Sequence, residues 1–313
     1  MFAGETKSDA RKWWVKTILP QLDAIEGSAD DTVASIIDAY LLSPQYLELG
    51  DNTRRDYKGW LTWLRERFGT VRYAKSEAEA VRGDYLRRMH IAAMLDEAKA
   101  EDKAVTGNRR KSALSSAFRV AIRTGKTEYN PCTDVANNTE HARVRLPTHS
   151  DYAKLRRVAQ PVIRLALLIA RLTAMREGDI LRMQWSWITN GEIHVTPAKT
   201  KKRTGKTLRI FITPSLAKVL AACKKLRGNL RSTHVIHNRR GQPYTQDGFQ
   251  SLWQRTLEKS GVEDLHFHDF KARAVTDKER KDPGQATVLA AHSSPAITRK
   301  VYLRGGQKVG PVR

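Results

Sequence analysis

The sequence predicts a mainly helical α+β chain of two domains, with a small β hairpin or sheet in the second, and three observations carry that prediction. Its 313 residues exceed what one core of ordinary size needs. From Asp31 to about Val135 the chain is rich in Ala, Leu, Arg and Glu at helical spacing, and strand patterns are absent. In the second half, helical stretches enclose two short segments of apolar–polar alternation. Hydrophobic residues make up 40% of the chain, enough for a packed core, which excludes a wholly disordered basic protein.

The elements follow in order. Residues 1–30 are an N-terminal extension, too short for an independent fold. Asp31-Thr32 caps a helix over Val33 to Leu42. Asn52-Thr53 caps another, with Tyr57, Trp60, Leu61 and Leu64 on one stripe before Gly69. Two more helices are expected over Gly83 to Ala100 and Asn108 to Thr124, the latter closed by Gly125 with Asn130-Pro131 beyond. Residues 31–136 therefore read as a domain of four or five helices. Residues 137–150 lack either period and contain Pro147, and so read as a linker to a second domain over 151–304.

That second domain opens on the most apolar run, Pro161 to Ala170. The run is about half the roughly 20 residues a membrane span needs and contains Arg164, so it is a core helix. Gly191 to Pro197 and Thr207 to Thr213 are the strands of one hairpin. Pro214 starts a helix to about Arg227, and further helices are expected over Gln246 to Gly261, Phe270 to Lys281 and Pro295 to Tyr302, before a tail over 305–313.

Charge selects the partner class. Lys and Arg number 56 against 33 Asp and Glu, a net +23 that is expected to attract a polyanion, nucleic acid foremost. The loop joining the hairpin strands holds Lys199, Lys201, Lys202, Arg203 and Lys206 and no acid. It is either a solvated turn or a finger along a phosphate backbone. The N-terminus lacks an apolar leader, and Cys132 and Cys223 lie far apart, which predicts a reducing cytoplasm, no disulfide framework and no membrane.

Three segments carry candidate chemistry. In Thr173-Ala-Met-Arg-Glu-Gly-Asp-Ile-Leu181, Arg176 falls near a helix junction, where pairing with Asp179 would ready its guanidinium to fork onto two phosphate oxygens. In His266-Phe-His-Asp-Phe-Lys-Ala-Arg273, the His-x-His pair has no Cys or further His at zinc-site spacing, so no metal is expected. A His with Lys271 three residues on instead presents two donors to one anion. The third segment runs from Leu289 through His292 to Tyr302, and taken alone its tyrosine reads as a half-buried core residue.

Taken together and in this order, T-A-M-R-E-G-D-I-L, a strand, A-K-T, a strand, F-H-D-F-K, A-A-H-S-S-P and a terminal Tyr, the chain resembles the tyrosine recombinases, also called phage integrases. The resemblance is sharpest from about Ile169 to Tyr302 and looser over Asp31 to Val135. It implies a helical core-DNA-binding domain and a mixed catalytic domain that together clamp DNA. It also implies that Arg176 is the first catalytic Arg, Asp179 its acidic support, Lys199 the catalytic Lys, His268 and His292 the two catalytic His residues, and Tyr302 the nucleophile. The sequence departs from the family at four points. Lys271 stands where the second Arg belongs, with Arg273, on another helix face, as the alternative. Ala174 and Ala291 replace glycines, and the interval from His292 to Tyr302 is one residue longer than the commonest spacing.

The expected function is site-specific recombination through a 3′-phosphotyrosyl intermediate, integrating or excising a phage or other mobile element. No cofactor is expected. The expected partners are double-stranded DNA, a homotetramer on synapsed sites and accessory DNA-bending proteins, with residues 1–30 as an arm-binding remnant. Two rivals share the residue pattern: a type IB topoisomerase or resolvase, and an inactive DNA-binding relative, for which Lys271 is the argument.

Overall fold

The computed structural model describes residues 31–198, 205, 207–228, 230–289, 298, 302 and 303. The extension 1–30, Lys199, Lys201, Lys202, Arg203, Lys206, Ala291, His292, most of the expected helix Pro295 to Tyr302 and the tail lie outside the described residues. The chain divides into two units between His141 and Ala142.

The first unit is helical: α1 (Val33–Leu42), α2 (Pro44–Leu47), α3 (Asp51–Phe68), α4 (Glu77–Arg82), α5 (Arg88–Ala100) and α6 (Ala104–Arg123). Helix α6 packs against α1, α3 and α5. The seam is built from Val33, Ile36, Ile37, Leu61, Leu64, Ile91, Leu114 and Phe118, all buried. Several expected boundaries are corrected here. Thr32 occupies the N-cap of α1, but its side chain makes no capping bond. Instead Val33 and Ala34 donate to the carbonyls of Val71 and Gly69. Helix α3 starts at Asp51 after an extended Gly50, so Asn52 and Thr53 lie inside it.

The helix expected over Gly83 to Ala100 is broken. Leu86 N–H donates to Arg72 O at 2.8 Å, pulling the chain into a bridge before α5 begins. Helix α4, whose Ser76 cap accepts from Glu79 N–H, precedes the break. Helix α6 starts four residues ahead of Asn108, because the Asn108 amide is occupied elsewhere: it binds Asn138 O, Asn138 N–H and Glu140, each at 2.9 Å.

The second unit contains α7 (His149–Val158), α8 (Pro161–Thr173), α9 (Glu177–Leu181), β1 (Ile188–Thr189), β2 (Glu192–Val195), β3 (Leu208–Phe211), α10 (Pro214–Arg227), α11 (Gln246–Ser260), α12 (Phe267–Lys281) and α13 (Ala286–Leu289). The last two residues of the expected linker, His149 and Ser150, open α7, capped reciprocally by Thr148 and Asp151. The sheet is antiparallel in the order β1-β2-β3, with Val195 opposite Leu208 and Glu192 opposite Phe211. The hairpin strands are shorter than the alternation predicts, and a two-residue strand, β1, adds a third to the sheet.

Helix α8 is the centre of this unit. Pro161 sits at its first turn, and Ile163, Ala166, Leu167, Ile169 and Ala170 are buried against α10 and α12. Helices α11 and α12 meet through aromatic edges. Phe249 and Trp253 lie 5.1 and 5.8 Å from Phe267, and Trp253 lies 5.9 Å from Phe270, all near perpendicular. Truncating one such buried ring costs about 3–5 kcal/mol, so this cluster fixes the face of α12 that carries the candidate residues.

Candidate active site

Helix α12 begins at Phe267, three residues before the sequence pattern suggests, and the His-rich segment is therefore its first turn. The Asp269 carboxylate accepts the His266 N–H at 2.8 Å and closes the helix end. His268 and Lys271 fall three residues apart and share a face. His268 is exposed and Lys271 is 2% exposed.

The C-terminal tyrosine comes to the same face. His268 Nε2 lies 3.0 Å from the Tyr302 hydroxyl. The Tyr302 main chain is fastened to α12 through its carbonyl, which accepts from the Thr276 hydroxyl at 2.8 Å. Its ring packs in a cluster with Ala174, Ala272, Val275 and Ala286. As a residue read alone, Tyr302 fits the core expectation in being buried; its hydroxyl nevertheless reaches a titratable partner.

Lys271 lies beside that ring, its Nζ 5.6 Å from the centroid and donating to Ala174 O at 2.6 Å. Burial of the ammonium is the main cause that lowers its pKa to about 7. The neighbouring Arg176 pushes the same way and Asp179 opposes both. Ala174, one of the departures from the family pattern, caps α8 in the left-handed region at φ 52°, and this aims its carbonyl at Lys271. Left-handed backbone costs an L-residue roughly 1–2 kcal/mol, which accounts for glycine at such a position.

Arg176 is the N-cap of α9 and half-buried. Its expected pairing with Asp179 is corrected by the structure. The Asp179 carboxylate, itself buried, takes Arg182 at 2.6 Å and the Ala198 N–H at 3.1 Å. Asp179 thereby anchors the segment after β2 where the basic loop begins, and among the described residues no carboxylate pairs with the Arg176 guanidinium. The i,i+3 spacing of Asp179 and Arg182 was the available signal for the first partner; nothing in sequence signals the second. Arg273 is spent elsewhere, on Asp277 at 2.9 Å and on Pro147 O at 3.3 Å. It does not join Lys271.

A polar cleft of about 430 Å³ opens beside these groups, lined by Arg176, Glu177, Gln250, His266 and His268. Glu177 accepts from Gln250 at 2.6 Å, and burial raises its carboxyl above the usual range. A larger, apolar recess of about 550 Å³ on α7, α8 and α10 holds none of the residues singled out in the sequence. Cys132 and Cys223 are both free and buried, with thiols pushed up to about 12. They are inert packing residues. Among the described residues no helix is long and apolar enough to cross a membrane.

Comparison with known proteins finds integrases. The chain is 25% identical over 247 residues to the integrase of Escherichia phage HK022, covering 77% of this chain and 66% of that protein. It is 31% identical over 219 residues to the integrase of Escherichia phage lambda, covering 66% of this chain and 60% of the relative. The match thus spans about two thirds or less of these relatives' lengths. Among solved structures, a lambda integrase tetramer bound to a Holliday junction superposes with a TM-score of 0.75 at 22% identity, covering 99% of this chain and 91% of that one. That likeness shows the fold. The model of the phage integrase family matches residues 145–307, more than half of the chain and the whole of the arrangement just described, and the chain belongs to that family.

Proposed function

We propose that the protein is a site-specific DNA recombinase that cuts and rejoins strands through Tyr302. The observation that carries this reading is the 3.0 Å contact between His268 Nε2 and the Tyr302 hydroxyl, beside Lys271 and Arg176. A phenol ionises near pH ~10, so it needs a base and neighbouring cations before it attacks phosphorus. With Nε2 unprotonated, His268 takes the proton as the Tyr302 oxygen bonds to phosphorus. Arg176 and Lys271, joined by His292, stabilise the nonbridging oxygens as negative charge gathers on them. The 5′-oxygen leaves with a proton from Lys199, and a 3′-phosphotyrosyl ester remains. That ester conserves the energy of the broken diester, so a second strand's 5′-hydroxyl reverses the step without ATP.

Residues 31–136 act as a core-DNA-binding domain, and Lys201, Lys202, Arg203 and Lys206 hold phosphates. The assembly on synapsed DNA is a homotetramer, assisted by DNA-bending proteins, in the cytoplasm of a bacterial host. The tetrameric lambda integrase on a Holliday junction supports this reading.

The test is incubation with a nicked suicide substrate from the element's own attachment region. The parent should form a covalent protein–DNA adduct, and Tyr302→Phe should form none while binding DNA within a few-fold. An adduct formed by Tyr302→Phe would assign the nucleophile to another residue. A parent that forms no adduct would favour the inactive DNA-binding relative. Cleavage without exchange in a two-site assay would favour a topoisomerase.

A further inference from the structure

Residues 143–148 carry no regular structure, yet they are stitched to the second unit at several points, and two stitches grip the helix that bears His268 and Lys271. Arg143 donates to the Asp264 carboxylate at 2.8 Å, to Asp264 O at 2.9 Å and to the Asp269 carboxylate at 3.1 Å. Farther along, Pro147 O accepts from Arg273 of α12 at 3.3 Å, and Leu146 packs on the cluster that surrounds Tyr302. Arg145 makes its ion pair elsewhere: it binds Asp151 at 3.2 Å through both guanidinium nitrogens and so holds α7, with longer bonds of 3.4 Å to Glu263 O and Leu146 O and none to α12 among those described.

Asp269 is the informative partner. It is 1% exposed, it follows His268 directly, and the same oxygen that meets Arg143 also accepts the His266 N–H that closes the helix end. Removing one member of a buried ion pair weakens the compensation of the other charge, and the structure responds by opening or by binding a proton. Here either response disturbs the first turn of α12, the turn that holds His268. The first turn, like the last, is where a helix frays.

We propose that Arg143 is a positioning residue: by pairing with Asp269 it holds the first turn of α12 so that His268 Nε2 stays within hydrogen-bond reach of the Tyr302 hydroxyl. The proposal rests on the reading of His268 and Tyr302 given above. Arg143 touches neither DNA phosphate nor the nucleophile in this scheme. It acts on the rate of cleavage rather than on affinity, since small displacements of a reacting group cost rate steeply.

The test is single-turnover cleavage of the nicked substrate across a range of DNA concentrations, by the parent, Arg143→Ala, Arg143→Lys and Arg145→Ala. Arg143→Ala should lower the saturating rate by about tenfold, with the half-saturating DNA concentration within about twofold of the parent. Arg143→Lys should recover most of the rate, and Arg145→Ala should stay close to the parent. In an Asp269→Asn background, which keeps an accepting oxygen and removes the buried charge, Arg143→Ala should cost little more. That background also keeps the comparison readable if the single variant folds poorly. The proposal is overturned if Arg143→Ala cleaves at the parent rate, if its loss lies wholly in DNA affinity, if Arg145→Ala is equally slow, or if the loss persists undiminished in the Asp269→Asn background. A parent without a Tyr302-dependent adduct would overturn the reading of the site and the positioning role together. A cleaving parent with an unaffected Arg143→Ala would remove only the latter.

Discussion

The two units bury different kinds of polar group. In the first, the buried polar residues among those described are neutral: Ser43, Asn108, Thr127 and Asn130, each bonded to backbone. Its charged side chains stay at the surface, paired as Arg65 with Asp38 and Arg67 with Glu97, or stacked as Arg110 is over Trp63 at 3.6 Å. In the second unit Asp151, Asp179, Asp269 and Lys271 are all buried. Burying charge is expensive and is sustained only where partners are exact in place. The first unit therefore shows the pattern of a scaffold, whereas the second holds buried charges, one of them, Lys271, beside the Tyr302 ring.

The strongest way to break that comparison is to remove the buried cation. Lys271→Ala should depress cleavage by roughly 10²-fold or more, the scale of losing a preorganised donor to the transition state. Lys271→Arg should keep or raise activity, since a guanidinium adds the fork that an ammonium lacks. Equal activity of all three proteins in single-turnover cleavage would show that the buried lysine is scaffold after all.

The same residue gives a signed pH effect. Its folded pKa of about 7 lies below the ordinary lysine value. The unfolded chain thus binds more protons between about pH 7 and pH 10.5, and this group makes stability rise with pH across that window. A phosphate beside the amine favours the ammonium, so DNA association should take up a proton. The affinity contributed by this contact then falls as pH rises above 7, by up to about tenfold per unit for one proton. Lys271→Arg should flatten that slope when dissociation constants are measured at fixed salt.

A neutral buried group should behave in the opposite way. Asn108→Ala strands the Asn138 backbone groups and should cost about 1–3 kcal/mol in denaturant unfolding. The cleavage rate at saturating DNA should stay within about twofold, and a large rate defect without lost stability would blur the division between the units.

The smallest effect is expected at Ala174. Replacement by glycine relieves the roughly 1–2 kcal/mol of left-handed strain. It also removes a buried methyl worth about 0.8 kcal/mol and loosens the unfolded chain by about 0.4–1 kcal/mol. Ala174→Gly should therefore lie within about 1 kcal/mol of the parent by thermal or chemical unfolding, which accounts for the tolerance of alanine at this left-handed position.

Much of this organisation was legible in the residues themselves. Long amphipathic helices such as α1, α8, α10 and α11 announce themselves by spacing, by Pro161 and Pro214 at first turns and by Gly261 at an end. The hairpin shows in the alternation of Ile193, Val195, Leu208 and Ile210. Short elements escaped because tertiary bonds decide them: the Leu86 bond to Arg72 breaks a helix that periodicity favours, and α4 and β1 contain too few residues for a period to emerge. The start of α12 escaped because its cap pairs His266 with Asp269 rather than a hydroxyl with a glutamate. In the site, residue types in order brought together Arg176, His268, Lys271 and Tyr302. What spacing cannot reveal is a bond across nearly a hundred residues to a main-chain oxygen, as between Lys271 and Ala174, or the bond that the Asp179 carboxylate accepts from the Ala198 N–H.

The fastening of Tyr302 to Thr276 also has a genetic consequence. Both the proposed nucleophile and its base belong to one polypeptide, bonded to each other and to a common helix. Damage to either cannot be made good by a neighbour that is intact only at the other. Coexpression of Tyr302→Phe with His268→Ala should then yield mixed assemblies no more active than the better of the two variants alone, because each defective copy spoils its own reaction centre and lends nothing to its companion.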